Sequence, residues 1–216
     1  MKKQMQKSSK VKQLIINNLK ENFKEYIIIS LLFIIGVVLG TAFINQLNQD
    51  GKVELQNHLT GFINSINTDS NIDKTILLKS SLLKDIIFVV LLWFMGSTII
   101  GIPVVCLIIC AQGFVLGYTA SSILITYGGL KGIFFLGISL FLQNIIFIPC
   151  IIVIAVSGIK IYKAILKDKR KENIKTEILR HTFFSLIMSL GLVASTFIET
   201  YISSNLVIIS SKMFGN

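Results

Sequence analysis

The sequence predicts an all-α polytopic membrane protein of about five transmembrane helices, with the N-terminus cytoplasmic and the C-terminus extracytoplasmic. Three observations carry that expectation. The 45 residues from Ile86 to Leu130 contain no charged residue and no histidine, and Lys131 is the only charge between Asp85 and Lys160. One crossing of a hydrocarbon layer takes about 20 apolar residues, so this run is long enough to cross and return. The 216-residue chain is 53% apolar and only 15% charged, with a mean hydropathy of +0.75, whereas soluble domains carry about a quarter charged residues. Its net charge of +10 is also unevenly placed: seven lysines precede Tyr26, and eight basic residues lie from Lys160 to Arg180. Such clustering beside apolar runs sets topology rather than a nucleic-acid surface. With the N-terminus inside, 15 of the basic residues are cytoplasmic, and Lys52, Lys74, Lys79, Lys84, Lys131 and Lys212 lie outside.

The elements follow in order. Val11, Leu14, Ile15, Leu19 and Phe23 recur at helical spacing among lysines, which predicts a basic amphipathic helix on the membrane surface within residues 1–25. A single membrane domain is expected over 26–204. Its first crossing is Tyr26–Ile44, with Gly36 and Gly40 four apart as a small-residue stripe. Gly40-Thr41-Ala42 loosely resembles a signal-peptidase site, but the charged leader is too long for an ordinary signal peptide, so an uncleaved anchor is expected. The polar stretch 45–85 is read as the extracytoplasmic loop, with one short helix around Leu55–Ile66 and another over Ile76–Leu83. The second crossing is expected at Ile86–Val105 and the third at Ile108–Tyr127, with the turn between Gly101 and Gln112. A fourth, Lys131–Lys160, has 28 uncharged interior residues and Pro149 inside it. A cytoplasmic basic loop over 160–181 precedes the fifth crossing, Thr182–Ser203, and residues 205–216 form an extracytoplasmic tail.

No Walker, G-x-S-x-G, H-E-x-x-H or Rossmann pattern is present. His58 and His181 fall on opposite faces of this topology. Cys106, Cys110 and Cys150 sit inside apolar runs without C-x-x-C spacing and read as small core residues. No enzyme chemistry, metal or cofactor is therefore expected. Asp50, Glu54, Asp69, Asp73 and Asp85 alternate with lysines and read as a solvated surface. Three features stand out as candidate helix-packing or partner contacts. Gly113 and Gly117 form a G-x-x-x-G that admits close backbone approach, either within the chain or against another subunit, and a homo-oligomer is open. Gln143 and Asn144 lie mid-crossing, where amides in lipid must face protein or a wet cavity. Pro149 should open a kink beside them at the Ile145 carbonyl, for structural satisfaction or for contact with a substrate or partner, and Gln112 is read alike. Glu199 near the outer end of the fifth crossing reads as an interfacial residue or a partner for an outer-loop lysine.

The ordered set Gly96-Ser97-x-x-x-Gly101-Ile102-Pro103, Gly113-x-x-x-Gly117, Gly128-Gly129, Gln143-Asn144-x-x-x-x-Pro149 and Glu199-x-x-Ile202-Ser203 resembles the stage II sporulation protein M family, over nearly the whole chain. Residues 45–85 match no motif of it. The resemblance implies a non-enzymatic multi-pass protein of the bacterial cell membrane, at the sporulation septum and in the engulfing mother-cell membrane of endospore formers. It also implies two partners, stage II sporulation proteins D and P, which degrade peptidoglycan and which this chain would localise for septal wall thinning. A different reading of the same amides is a small permease or channel subunit for a neutral solute, with Gln112, Gln143 and Asn144 lining its path.

Overall fold

The computed structural model describes residues 22–68, 74–98, 100–167 and 171–203. Almost all of the expected N-terminal surface helix, and the tail 205–216, lie outside the described residues. Every regular element among the described residues is helical: α1 (Phe23–Asn45), α2 (Gln49–Thr68), α3 (Lys74–Gly96), α4 (Gly101–Tyr127), α5 (Gly129–Leu136), a π-helical turn (Gly137–Phe141), α6 (Leu142–Lys167), α7 (Lys171–Phe197) and a second π-helical turn (Ile198–Ser203).

The closest pairing is α1 against α4. Ile29, Phe33, Gly36, Gly40 and Ile44 form the buried face of α1. On α4 the buried face repeats every four residues at Gly101, Val105, Ile109, Gly113, Gly117 and Ser121. The two small-residue stripes are reciprocal. A Cβ on Gly36 or Gly40 would overlap the carbonyl oxygen of Cys110 or Phe114, and one on Gly113 or Gly117 would overlap that of Phe33 or Val37. Between helices in lipid there is no hydrophobic driving force, so dispersion contacts at this short backbone separation hold the pair. The glycines of the third expected crossing are thus occupied inside the chain, and their backbones are not available to another subunit.

These contacts rise together along both helices, so α1 and α4 run in the same direction, and the chain must return between them. Helix α2 remains at the far end, where Gln56 Nε2 donates to the Ile125 carbonyl at 3.0 Å. Helix α3 therefore makes the return. Its Phe88 ring lies 5.9 Å from Phe147, and Gly96 meets Gly158 backbone to backbone, so α3 and α6 are parallel. Helix α7 runs against both, since its start meets Gly96 and its end meets Gln143.

Five long helices therefore alternate in direction, but the second is displaced from its expected place. In place of the crossing expected at Ile86–Val105 stands a helix over Lys74–Gly96, and the break before α4 follows Gly96 rather than falling within Gly101–Gln112. The physical reason is local. Gly101 N–H donates to Thr98 Oγ1 at 3.1 Å as the chain turns into α4, and Pro103 stands in the first turn, where its missing N–H leaves no bond unmade. Among the described residues four helices are long and apolar enough to cross a membrane: Phe23–Asn45, Gly101–Tyr127, Gln143–Leu166 and Ile174–Ile202. Helix α3 differs because it carries Lys79, Lys84 and Asp85. The fourth crossing is interrupted by the π-helical turn, and the expected basic loop 160–181 is helical on both sides of residues 168–170. Gly128 supplies the positive φ of 67° that ends α4. The expected loop helix Ile76–Leu83 is the first half of α3 rather than a separate element.

Gly61, in the interior of α2, has nothing within 4 Å of an added Cβ. Gly61→Ala should stabilise α2 by about 0.5–1 kcal/mol, because alanine loses less backbone entropy in a helix. Slower amide hydrogen exchange around position 61 is the expected readout, and unchanged exchange counts against it.

Candidate functional site

Where α3, α4 and α6 diverge, a cleft of about 650 Å³ opens, closed at one end by the second π-helical turn. Three of the amide and acid positions singled out in the sequence meet here: Gln143, Asn144 and Glu199, with Gln112 on the facing wall of α4. Gln143 Nε2 donates to Glu199 Oε2 at 2.8 Å, and Ser195 Oγ donates to the Gln143 carbonyl at 3.1 Å. Asn144 Nδ2 donates to the Leu140 carbonyl at 2.8 Å. That carbonyl belongs to the π-helical turn, where the wider winding frees backbone oxygens from their usual partners. Glu199 itself stands in the second π-helical turn and interacts with Ser81 and Lys84, the latter a lysine of the stretch 45–85 that here belongs to α3.

Asp85 is a correction to the sequence reading. It is only 8% exposed and accepts a hydrogen bond from Thr196 Oγ1 at 2.6 Å, so it is an interhelical group and not part of a solvated surface. The Thr196 proton is shared with the Leu192 carbonyl at 3.0 Å, one turn back in its own helix. Sequence reasoning missed Asp85, Ser81, Lys84 and Thr196 because a charged pair after a polar stretch looks like loop. The signal was there: the helical period of Ile76–Leu83 continues through Asp85 to Leu92, which is buried on the same helix.

Pro149 lies on an exposed face of α6, which continues through it to Lys167. The irregularity beside the amides is the π-helical turn before Gln143. The other sequence-singled residues sit at helix contacts away from the cleft. Gly96 packs on His181 and Gly158, Gly101 on Met95 and Thr98, and Gly113 and Gly117 on α1. His58 stays exposed on α2, whereas His181 is 1% exposed in the core. Cys106, Cys110 and Cys150 are free thiols, half-buried or buried. Among the described residues no group of three or more His, Cys, Asp or Glu is placed to hold a metal ion.

Removing the amide that serves Glu199 should be measurable. Gln143→Leu removes one of the donors to this carboxyl and should cost about 1–3 kcal/mol, read as a lower unfolding midpoint in detergent. A midpoint equal to that of the parent would show that the pair contributes nothing.

Alternating long helices, apolar outer faces and polar groups gathered in one interhelical cleft define a multi-pass α-helical membrane protein. Comparison with known families then gives the particular one: the family described as stage II sporulation protein M matches residues 29–204. The chain belongs to this sporulation family. No curated protein and no solved structure matches it.

Proposed function

We propose that this protein is a non-enzymatic scaffold of the sporulation engulfment machinery. It holds stage II sporulation proteins D and P at the septum, so that septal peptidoglycan is thinned and the mother-cell membrane migrates around the forespore. The family match over residues 29–204 carries the reading. Two further observations support it. An ion pair between Glu25 and Lys163 puts the start of α1 and the end of α6 at one end of the bundle, where Lys24 and Lys160 also fall in the sequence. The positive-inside rule assigns that end to the cytoplasm. On α1, Ile27, Ile28, Leu31, Ile34, Ile35 and Val38 remain exposed on the side away from the glycine contact, an apolar face open to a partner's membrane helix.

Mild cross-linking in sporulating cells followed by purification of this chain should recover both wall hydrolases. Recovery of neither would overturn the scaffold reading. The cleft supports a second reading, a small permease or channel subunit for a neutral solute, with Gln112, Gln143 and Asn144 in the path. Lys84, Asp85 and Glu199 in the same wall weigh against it, since a neutral solute leaves their charges uncompensated. Solute flux in proteoliposomes, abolished by Asn144→Leu, would favour the permease.

A further inference from the structure

The cleft is amphipathic along its length, and α3 and α6 agree on the direction. On α3, Ser80, Ser81, Lys84 and Asp85 come first, and Ile87, Phe88 and Leu91 follow towards the end at Gly96. Helix α6, parallel to α3, repeats the order with Gln143 and Asn144 before Phe147. Antiparallel α4 reverses it in sequence and so keeps it in space, with Leu116 deeper than Thr119; Gln112 is the one polar group at the apolar end. The polar end lies on the half of α3 that also bears Lys74 and Lys79, towards the membrane boundary.

The cleft is also open sideways. Ile87 on α3 is 64% exposed and Val115 on α4 is 56% exposed, so its mouth is walled by side chains that face the surrounding lipid. Its wall mixes both kinds of ionisable group: Lys84 stands beside two carboxyl groups, Asp85 and Glu199. Asp85 accepts at Oδ2 from Thr196. Polar groups beside hydrocarbon need polar partners, and lipid tails offer none.

We infer that this cleft is a binding site for a phospholipid with a primary ammonium headgroup. The ammonium donates to Asp85 and Glu199, the lipid phosphate accepts from Lys84, and the acyl chains leave between Ile87 and Val115. A zwitterion matches the mixed charges of the wall, whereas an anionic lipid satisfies Lys84 alone. The volume of about 650 Å³ suits a headgroup with the start of its chains.

The test is native mass spectrometry of the full chain, released from nanodiscs of equal parts phosphatidylethanolamine, phosphatidylcholine and phosphatidylglycerol with identical chains. Retention of phosphatidylethanolamine roughly tenfold above the other two is expected, as one lost charge-assisted contact is worth about that factor. Asp85→Asn with Glu199→Gln should remove the preference and keep the fold, because both amides still accept from Thr196 and Gln143. Should that pair lose its thermal transition, Val115→Trp blocks the mouth from an exposed position and should lower retention as well. Equal retention of the three lipids, preference for phosphatidylglycerol, or unchanged preference in folded variants overturns the assignment. So does full competition by chain-free phosphoethanolamine, which would mark a soluble ligand. Cross-linking of a partner's membrane helix through Ser80→Cys, with no lipid retained, overturns it in favour of a protein occupant.

Discussion

Gly117→Leu should cost more than about 3 kcal/mol, beyond the usual range for overpacking, and should remove the cooperative unfolding transition in detergent. The new side chain meets the Val37 backbone, and a backbone cannot rotate aside as a side chain can. Helix α1 must then separate from α4, and the Thr41 hydroxyl loses the Gly117 carbonyl to which it donates across the pair. Gly137→Ala is the control, since nothing lies within 4 Å of a Cβ at that position, and it should unfold like the parent. A Gly117→Leu protein that melts normally but fails to recover its partners would show that these glycines face another chain, contrary to the packing described above.

His181→Ala should lower stability by about 2–4 kcal/mol, through a buried cavity and lost hydrogen bonds. Its ring ties three helices. Nε2 lies 3.2 Å from the Trp93 carbonyl of α3, and Nδ1 lies 2.5 Å from Ser157 Oγ of α6. A carbonyl only accepts, so Nε2 carries a proton, and in the neutral ring Nδ1 shares the Ser157 hydroxyl proton with the Ile154 carbonyl, 2.7 Å from the same oxygen. Trp93 is the only tryptophan, and its Nε1 donates to Thr182 Oγ1 at 3.1 Å, beside the histidine. Its emission therefore reports this junction. A shift in the emission maximum should accompany the lower midpoint, and His181→Ala with both unchanged would mean that the three helices are held elsewhere.

The apolar runs made α1, α4, α6 and α7 legible, because each is a span whose composition alone demands a membrane. Spacing of four between Gly36 and Gly40, and between Gly113 and Gly117, showed that a backbone would come close. Which stripe meets which could not be read, since every helix offers a similar face. The register of the second crossing was illegible for a different reason. Hydropathy treats Lys79, Lys84 and Asp85 as loop, yet all three are helical, and around the cleft Lys84 and Asp85 belong to a polar wall that only the arrangement of the other helices makes useful. Gln143 and Asn144 were found because amides within apolar sequence need partners. Glu199 was seen, but its partner was not, since a separation of 56 residues links it to Gln143.

The parallel pairing of α1 with α4 also sets an order of assembly during synthesis. The Thr41–Gly117 contact joins positions 76 apart, so α1 enters the bilayer well before its partner exists. At about 5–20 residues per second it waits for roughly 4–15 s, with the groove over Gly36 and Gly40 open to any passing helix. Chains that stall before α4 emerge carry an uncovered small-residue groove, which gives the cell's quality control a surface by which an unfinished copy differs from a finished one.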